Sequence, residues 1–337
     1  VFDRPVLGIE TSCDETAAAV VEGIQLRSNV VASQADLHHR YGGVVPELAA
    51  RRHIERLVAV VDEALEGAGL DVADLGAVAV TCGPGLVGAL SVGVAFAKSV
   101  SLASGKPLVG VNHLEGHIYA NVLVHGPFST PALALVVSGA HTDLLWIPEY
   151  GRYRVLGRTR DDAAGEAFDK AARAMGLGYP GGPEIDRLSQ LGDPARVPMP
   201  EPLASEEGYD FSFSGLKTAV LRALQQAPRP DPADVAAAFQ HAVVSHLVRR
   251  TVRAAEDLQP ACLLLGGGVA ANRLLRDRLG REAQRLGIPL WVPPPWLCTD
   301  NAAMIACVGA FRLARGERAG LDLRAWADLP WDGAPAG

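Results

Sequence analysis

One plan is written twice along this chain, and that repetition limits the fold more than any other feature. Val6 to Ile9 is a short apolar strand. It runs into the polar turn Glu10-Thr11-Ser12-Cys13-Asp14-Glu15-Thr16, then Ala17 to Val21 and, after a second turn, Ile24 to Ala32. From Pro131 the order returns: Ala132 to Val137, the polar turn Ser138-Gly139-Ala140-His141-Thr142, Leu144 to Ile147, then Tyr153 to Arg158. Each copy opens as a three-stranded meander whose first turn is small and polar. Duplication of one domain is the economical explanation.

After each meander, helix and strand alternate. Pro46 opens an amphipathic helix in which Leu48, Ile54, Leu57, Val58, Val61 and Leu65 recur at helical spacing up to a stop at Gly67 and Gly69. Ala77 to Thr81 then reads as a strand, Val87 to Leu102 as a helix and Leu108 to Val111 as a strand. In the second half, Asp231 to Leu258 reads as a long helix, Cys262 to Leu265 as a strand and Ala270 to Leu286 as a helix. Ile288 to Val292 follows as a strand and Asn301 to Arg315 as a closing helix. This order predicts an α/β fold with mixed sheets in two lobes flanking a central cleft. The expected boundaries are 1–130 for a first lobe carrying a histidine pair, 131–325 for a second lobe with inserted helices and a loop, and 326–337 for a tail. Gly192 to Tyr209, rich in Pro, Glu and Asp without a period, is expected to be a surface loop or lid.

With 337 residues, 49% of them hydrophobic, the chain has the composition of a well-buried globular protein rather than a disordered one. The charged start, with Asp3, Arg4, Glu10 and Asp14, does not resemble a signal peptide. Leu86 to Ser104 is apolar but interrupted by Gly88, Ser91, Gly93 and Lys98, so no membrane span is expected and the protein is read as cytoplasmic. Five cysteines without a CxxC pair indicate neither a disulfide framework nor a zinc ribbon. A net charge of −7 argues against holding nucleic acid unaided, because phosphate neutralisation dominates that affinity. Local basic stretches remain, at Arg51, Arg52, His53 and Arg56 and at Arg273, Arg276, Arg278 and Arg281.

Chemistry concentrates in a few short motifs. His113-Leu114-Glu115-Gly116-His117 places two imidazoles four residues apart, and on a helix such a pair faces one ion. A third ligand must come from elsewhere. Asp300, at the start of the closing helix, is a candidate, with helix capping as its alternative role. Two imidazoles and a carboxylate leave coordination positions open, which suits catalysis by Fe(II) or Zn. The small polar turns Thr11-Ser12 and Ser138-Gly139-Ala140 let backbone N–H groups converge on a phosphate. Leu263 to Asn272, a strand, three glycines and a helix start, suits close approach of a nucleotide. That stretch is not the GxGxxG fingerprint, and no Walker GxxxxGK(S/T) motif occurs, which disfavours dinucleotide and P-loop readings.

Together these stretches resemble the TsaD family of tRNA adenosine threonylcarbamoyltransferases, once named O-sialoglycoprotein endopeptidases and sharing the fold of actin, hexokinase and the heat-shock ATPases. The likeness runs from about Val6 to about Arg315. It rests on the segments 8–16, 45–49, 83–86, 113–117, 138–142, 165–170, 179–183, 211–217, 266–272 and 299–301. One departure stands out: the family usually carries a second glycine where this chain has Ala140. A left-handed backbone there would cost alanine about 1 kcal/mol.

The resemblance implies transfer of the threonylcarbamoyl group of threonylcarbamoyl-AMP to N6 of adenosine 37 in tRNAs reading codons that begin with A. It implies one Fe(2+) or Zn(2+) per subunit held by His113, His117 and Asp300. Val137, Ser138, Gly139, Ala140 and His141 would line the donor, and Asp169, Gly182, Asp186 and Asn272 would bind its adenylate and ribose. By the same resemblance ATP or ADP can occupy that cleft, and Asp14 and Glu15 are candidates for positioning or proton transfer. Implied partners are tRNA, a TsaB-like paralogue, a TsaE-like ATPase and a separate synthase that supplies the donor. A metallopeptidase is the chief alternative, although the glutamate of the HExxH motif directly follows its first histidine and here Leu114 stands there. A small-molecule kinase or ATPase of the same fold, or a scaffold without catalysis, would have no use for this ligand set.

Overall fold

The computed structural model describes residues 1–331, and these form two compact units: 1–127 with 299–331, and 128–298. In the first unit the strands are β1 (Pro5–Glu10), β2 (Glu15–Glu22), β3 (Gln25–Ser33), β4 (Ala77–Gly83) and β5 (Leu108–Asn112). Their order in the sheet is β3-β2-β1-β4-β5, with the meander antiparallel and β4 and β5 parallel to β1. The second unit contains β6 (Ala132–Val137), β7 (Thr142–Glu149), β8 (Arg152–Arg158), β9 (Cys262–Gly266) and β10 (Leu290–Trp291). Its order, β10-β9-β6-β7-β8, repeats the first sheet strand for strand. The duplication expected from the meanders is thus a duplication of topology.

Local rules place the helices around the first sheet. Helix Pro46–Ala68 has proline in its first turn and ends on Gly69 at φ 68°, a left-handed stop that glycine adopts without a Cβ penalty. Its apolar face joins Leu7, Ile9, Val78 and Val80 in one buried cluster. Helix Val87–Ser104 is long and apolar enough to cross a membrane by those measures alone. Here it lies on the sheet, where Thr11 Oγ1 donates to Ala89 O.

The closing helix Ala302–Ala314 does not belong to the second lobe, as the boundary at 131–325 had it. It is buried nearly throughout and packs on β1, in the first unit. Gly8 makes that contact possible: a Cβ there would stand 2.2 Å from Ala302 O and 2.7 Å from Ala306 N. The expected tail at 326–337 is likewise packed as far as it is described. Leu329 and Trp331 are buried, and Trp326 N donates to Cys82 O. Residues 332–337 lie outside the described residues.

Second-unit details also differ from expectation. The helix expected from Ala270 begins at Arg273, after a 3₁₀ turn Gly268–Ala271, because Asn272 takes the cap and its side chain accepts from Leu275 N. The strand 288–292 narrows to Leu290–Trp291. The 192–209 stretch is fastened rather than lid-like. Arg250 donates to the carbonyls of Leu203, Glu206 and Gly208, and Asp193 N donates to Asp234. Carbonyls satisfied together by one guanidinium hold such a segment without secondary structure.

Candidate metal centre

His113 and His117 sit on the short helix His113–Tyr119, which follows β5 directly and is capped by Asn112, whose side chain accepts from Leu114 N at 2.9 Å. The i, i+4 spacing brings the ring centroids to 4.7 Å. From the other end of the chain comes Asp300. The capping role open to it is taken by Asn301, whose Oδ1 accepts from Met304 N at 3.0 Å. Asp300 is therefore left to face the rings, with Oδ1 3.4 Å from Nε2 of each histidine.

Two ligands about 2.1 Å from one ion at a tetrahedral angle stand about 3.4 Å apart, so this spacing fits a shared cation. All three donor atoms lie within 4.8 Å of one another. A second observation agrees. His117 is wholly buried, and neither of its ring nitrogens has a hydrogen-bond partner of good geometry; a coordinated ion would satisfy Nε2, the nitrogen that faces Asp300. The residues fit a divalent metal.

Sequence reasoning passed over Glu10, the last residue of β1. Its buried carboxylate accepts from His113 Nδ1 at 2.9 Å, from Thr81 Oγ1 at 2.6 Å and from Ser12 N. A carboxylate on Nδ1–H fixes the tautomer that turns the Nε2 lone pair toward Asp300, the arrangement behind most metal-ligating histidines. Charge follows geometry here. Burial works against an imidazolium at His113, yet Asp300 and Glu10 outweigh it and hold the ring well above its usual range. Burial likewise opposes ionisation of Asp300, and His113 followed by His117 hold that carboxyl far below the carboxylate range. The cluster calls for one positive charge, which a proton or a cation supplies. His117, where burial dominates, is pushed down and stays a neutral donor.

Glu115 between the histidines points elsewhere. It is 1% exposed and grips Arg312 of the closing helix at 2.6 and 3.1 Å. That ion pair ties the histidine helix to the helix that Asp300 leads, and it leaves Glu115 unsuited to activating a water as a peptidase would. Asp14 lies in the β1–β2 turn and Glu15 opens β2; in that turn Ser12 Oγ comes 3.2 Å from His113 Nδ1. Burial first, then the charges of Asp14 and Asp300, push the Glu15 carboxyl up to about 9.

The remaining site candidates all fall in the second unit. The turn Ser138 to His141 closes by Ser138 N donating to His141 O at 2.8 Å and His141 N to Ser138 Oγ at 3.1 Å. Ala140 is not in the left-handed region, so replacing the family's glycine carries none of the expected strain. Against this turn sit the first residues of helix Ala164–Met175, with Gly165 N on Ser138 O, and Gly267 beside Val137 O. Asp169, on that helix, accepts from Gly181 N at 2.7 Å, next to Gly182. Asp186 binds Arg273 Nε through Oδ2 at 3.0 Å, while its buried Oδ1 has no partner. The Asn272 carboxamide is occupied, capping its helix and donating to Gln240 at 2.8 Å. Asp186, Gln240 and Arg273 line a cavity of about 460 Å³.

The model of the family described as TsaD, tRNA N6-adenosine threonylcarbamoyltransferase, matches residues 25–307. The chain belongs to the TsaD family. A tRNA N6-adenosine threonylcarbamoyltransferase of Symbiobacterium thermophilum is 57% identical over 95% of this chain and 95% of its own. The TsaD relative of that name in Bacillus subtilis is 54% identical over 95% of this chain and 94% of its own. Among solved structures, component A of (R)-2-hydroxyglutaryl-CoA dehydratase from Acidaminococcus fermentans superposes with TM-score 0.57 at 16% identity, over 92% of this chain and 99% of that one. HypF of T. kodakarensis gives 0.62 at 13% identity, over 93% of this chain and 49% of that one. These distant likenesses show the fold, the duplicated α/β fold of the actin and hexokinase type, and the TsaD relatives show the family.

Proposed function

We propose that the chain carries out the reaction its family is named for, transfer of a threonylcarbamoyl group from threonylcarbamoyl-AMP to N6 of adenosine 37 in tRNAs reading codons that begin with A. The observation that carries this reading is the His113, His117 and Asp300 cluster, in a chain that matches the family model over most of its length. These three residues would hold an Fe(2+) or Zn(2+) ion. When bound, such an ion supplies Lewis acidity, drawing electron density from a carbonyl oxygen of the donor.

The adenosine amine is a weak nucleophile, so the donor must be well placed and the amine's proton must have somewhere to go. We assign Val137, Ser138, Gly139, Ala140 and His141 to the donor, the turn presenting backbone N–H groups with little side-chain obstruction. Asp186 Oδ1, an unpartnered buried acceptor, suits a ribose hydroxyl, and Asp169, Gly182 and Asn272 complete the adenylate site. As the N6–carbon bond forms and the carbon–oxygen bond to AMP breaks, one proton leaves N6. The carboxyl groups of Asp14 and Glu15 are neighbours, and with Glu15 pushed up to about 9 by burial and the Asp14 charge, the Asp14 carboxylate is the one that would accept that proton. We place the activity in the cytoplasm with its tRNA, alongside a TsaB-like paralogue, a TsaE-like ATPase and a synthase that makes the donor.

Mass spectrometry of nucleosides tests the reaction. Unmodified tRNA incubated with the protein, those partners and threonylcarbamoyl-AMP should yield threonylcarbamoyladenosine. Its absence, with the same partners active beside another family member, would overturn the proposal.

A further inference from the structure

A single imidazole brackets the acidic turn. His53, on helix Pro46–Ala68, is wholly buried. Its Nε2 lies 3.0 Å from the Cys13 carbonyl and its Nδ1 2.8 Å from Thr16 Oγ1. A carbonyl only accepts, so Nε2 carries the proton and Nδ1 receives the Thr16 hydroxyl. Gln34 Nε2, another donor, approaches the same Nδ1 at 3.5 Å, and Gln34 N donates to the Asp14 carbonyl at 3.0 Å. The two residues that His53 grips are the ones immediately before Asp14 and immediately after Glu15. At the front of the turn, Leu86 N fixes the Ser12 carbonyl at 2.8 Å, and Ser12 Oγ reaches His113. The backbone under both carboxylates is thus held by directed bonds: the His53, Gln34 and Leu86 contacts at Ser12, Cys13 and Asp14, and, for Glu15 and Thr16, the β2–β3 ladder together with the Thr16 hydroxyl on His53.

We propose that His53 is a positioning residue for threonylcarbamoyl transfer, holding Asp14 and Glu15 in place beside the His113, His117 and Asp300 centre. The proposal rests on the reading that these two carboxylates handle the proton leaving the adenosine amine. Misplacement of a reacting group by about 1 Å costs on the order of 100-fold in rate. His53→Ala should therefore lower kcat by roughly that factor while KM for tRNA and donor, and metal content, stay close to the parent's. His53→Gln, whose amide can donate to Cys13 O and accept from Thr16, should recover part of the loss. Thr16→Val, which keeps the shape and removes one bond, should fall between.

Steady-state kinetics of the complete system with these variants, and with Asp14→Asn, Glu15→Gln and the double variant His53→Ala with Glu15→Gln, decides the matter. Thermal melts confirm that each variant is folded. If His53 acts through the carboxylates, its removal adds less than about threefold once the Glu15 carboxyl has already been replaced. Full activity in Asp14→Asn and Glu15→Gln would remove the carboxylate reading and the proposal with it. Loss in those two, combined with unchanged kcat in folded His53→Ala and Thr16→Val, or with the full loss repeated in the double variant, would keep the carboxylates and overturn the positioning role.

Discussion

Replacing Glu10 by glutamine changes one atom and should weaken metal binding at His113, the proposed ligand 103 residues away. The buried carboxylate receives Ser12 N on one oxygen, and Thr81 Oγ1 with His113 Nδ1 on the other. An amide offers an acceptor on one side only. A backbone N–H cannot reverse, so the carbonyl must stay toward Ser12 and the NH2 group must face Thr81 and His113. The threonine hydroxyl can rotate to accept. The imidazole can do so only by moving its proton to Nε2, the nitrogen aimed at Asp300 3.4 Å away, which removes the lone pair that would bind an ion. Loss of such a supporting carboxylate typically costs about 10- to 100-fold in metal affinity. Folding should suffer less, by about 1–3 kcal/mol for one disturbed buried hydrogen-bonding group. Competitive titration of Zn(2+) or Fe(2+) against a chelator, with thermal melts in parallel, reads both. Metal bound by Glu10→Gln as tightly as by the parent would refute the tautomer argument.

Gly8→Ala forces a Cβ to within 2.2 Å of Ala302 O, so β1 and the closing helix must part. The expected cost is about 1–3 kcal/mol or more, with weaker metal retention because Asp300 leads that helix; an unchanged melting temperature would contradict it. Arg312→Met leaves the buried Glu115 carboxyl without its guanidinium, costing about 3–5 kcal/mol, and adding Glu115→Leu should return much of that stability; equal damage in single and double variants would count against the ion pair as drawn. Glu15 binds its proton more tightly when folded, at about 9 against 4.5, so its contribution is whole at low pH and is lost as pH rises toward 9. Glu15→Gln should then melt increasingly above the parent from about pH 5 to about pH 9, whereas a constant gap would exclude the raised pKa.

What could be read beforehand was local. The meanders, the helix from Pro46 and the imidazole pair declare themselves within a few residues, through alternation, a proline and an i, i+4 spacing. Glu10 was illegible because its partners are Thr81 and His113, and nothing near it in sequence separates a metal-supporting carboxylate from an ordinary turn acid. The lobe boundary failed for the same kind of reason. The apolar run Ala302 to Leu313 shows that the helix is buried but not against which sheet, and only the missing side chain of Gly8 reveals the surface it meets. At Asp300 two roles were open, and the choice turned on Asn301 being the better placed cap. The 192–209 stretch looked loose because its restraint comes from Arg250, a residue that periodicity assigns simply to a helix.

The return of the closing helix to the first unit has a consequence for biosynthesis. His113 and His117 leave the ribosome long before Asp300, with the whole of the second unit, 128–298, made in between. At usual elongation rates of about 5–20 residues per second, that interval is on the order of ten to thirty seconds. Throughout it, the face of β1 that the helix later covers is open, and the His113, His117 and Asp300 cluster lacks its carboxylate. Any ion that this cluster takes up would therefore be loaded late in the life of a nascent chain, and truncated translation products would carry the histidines without Asp300.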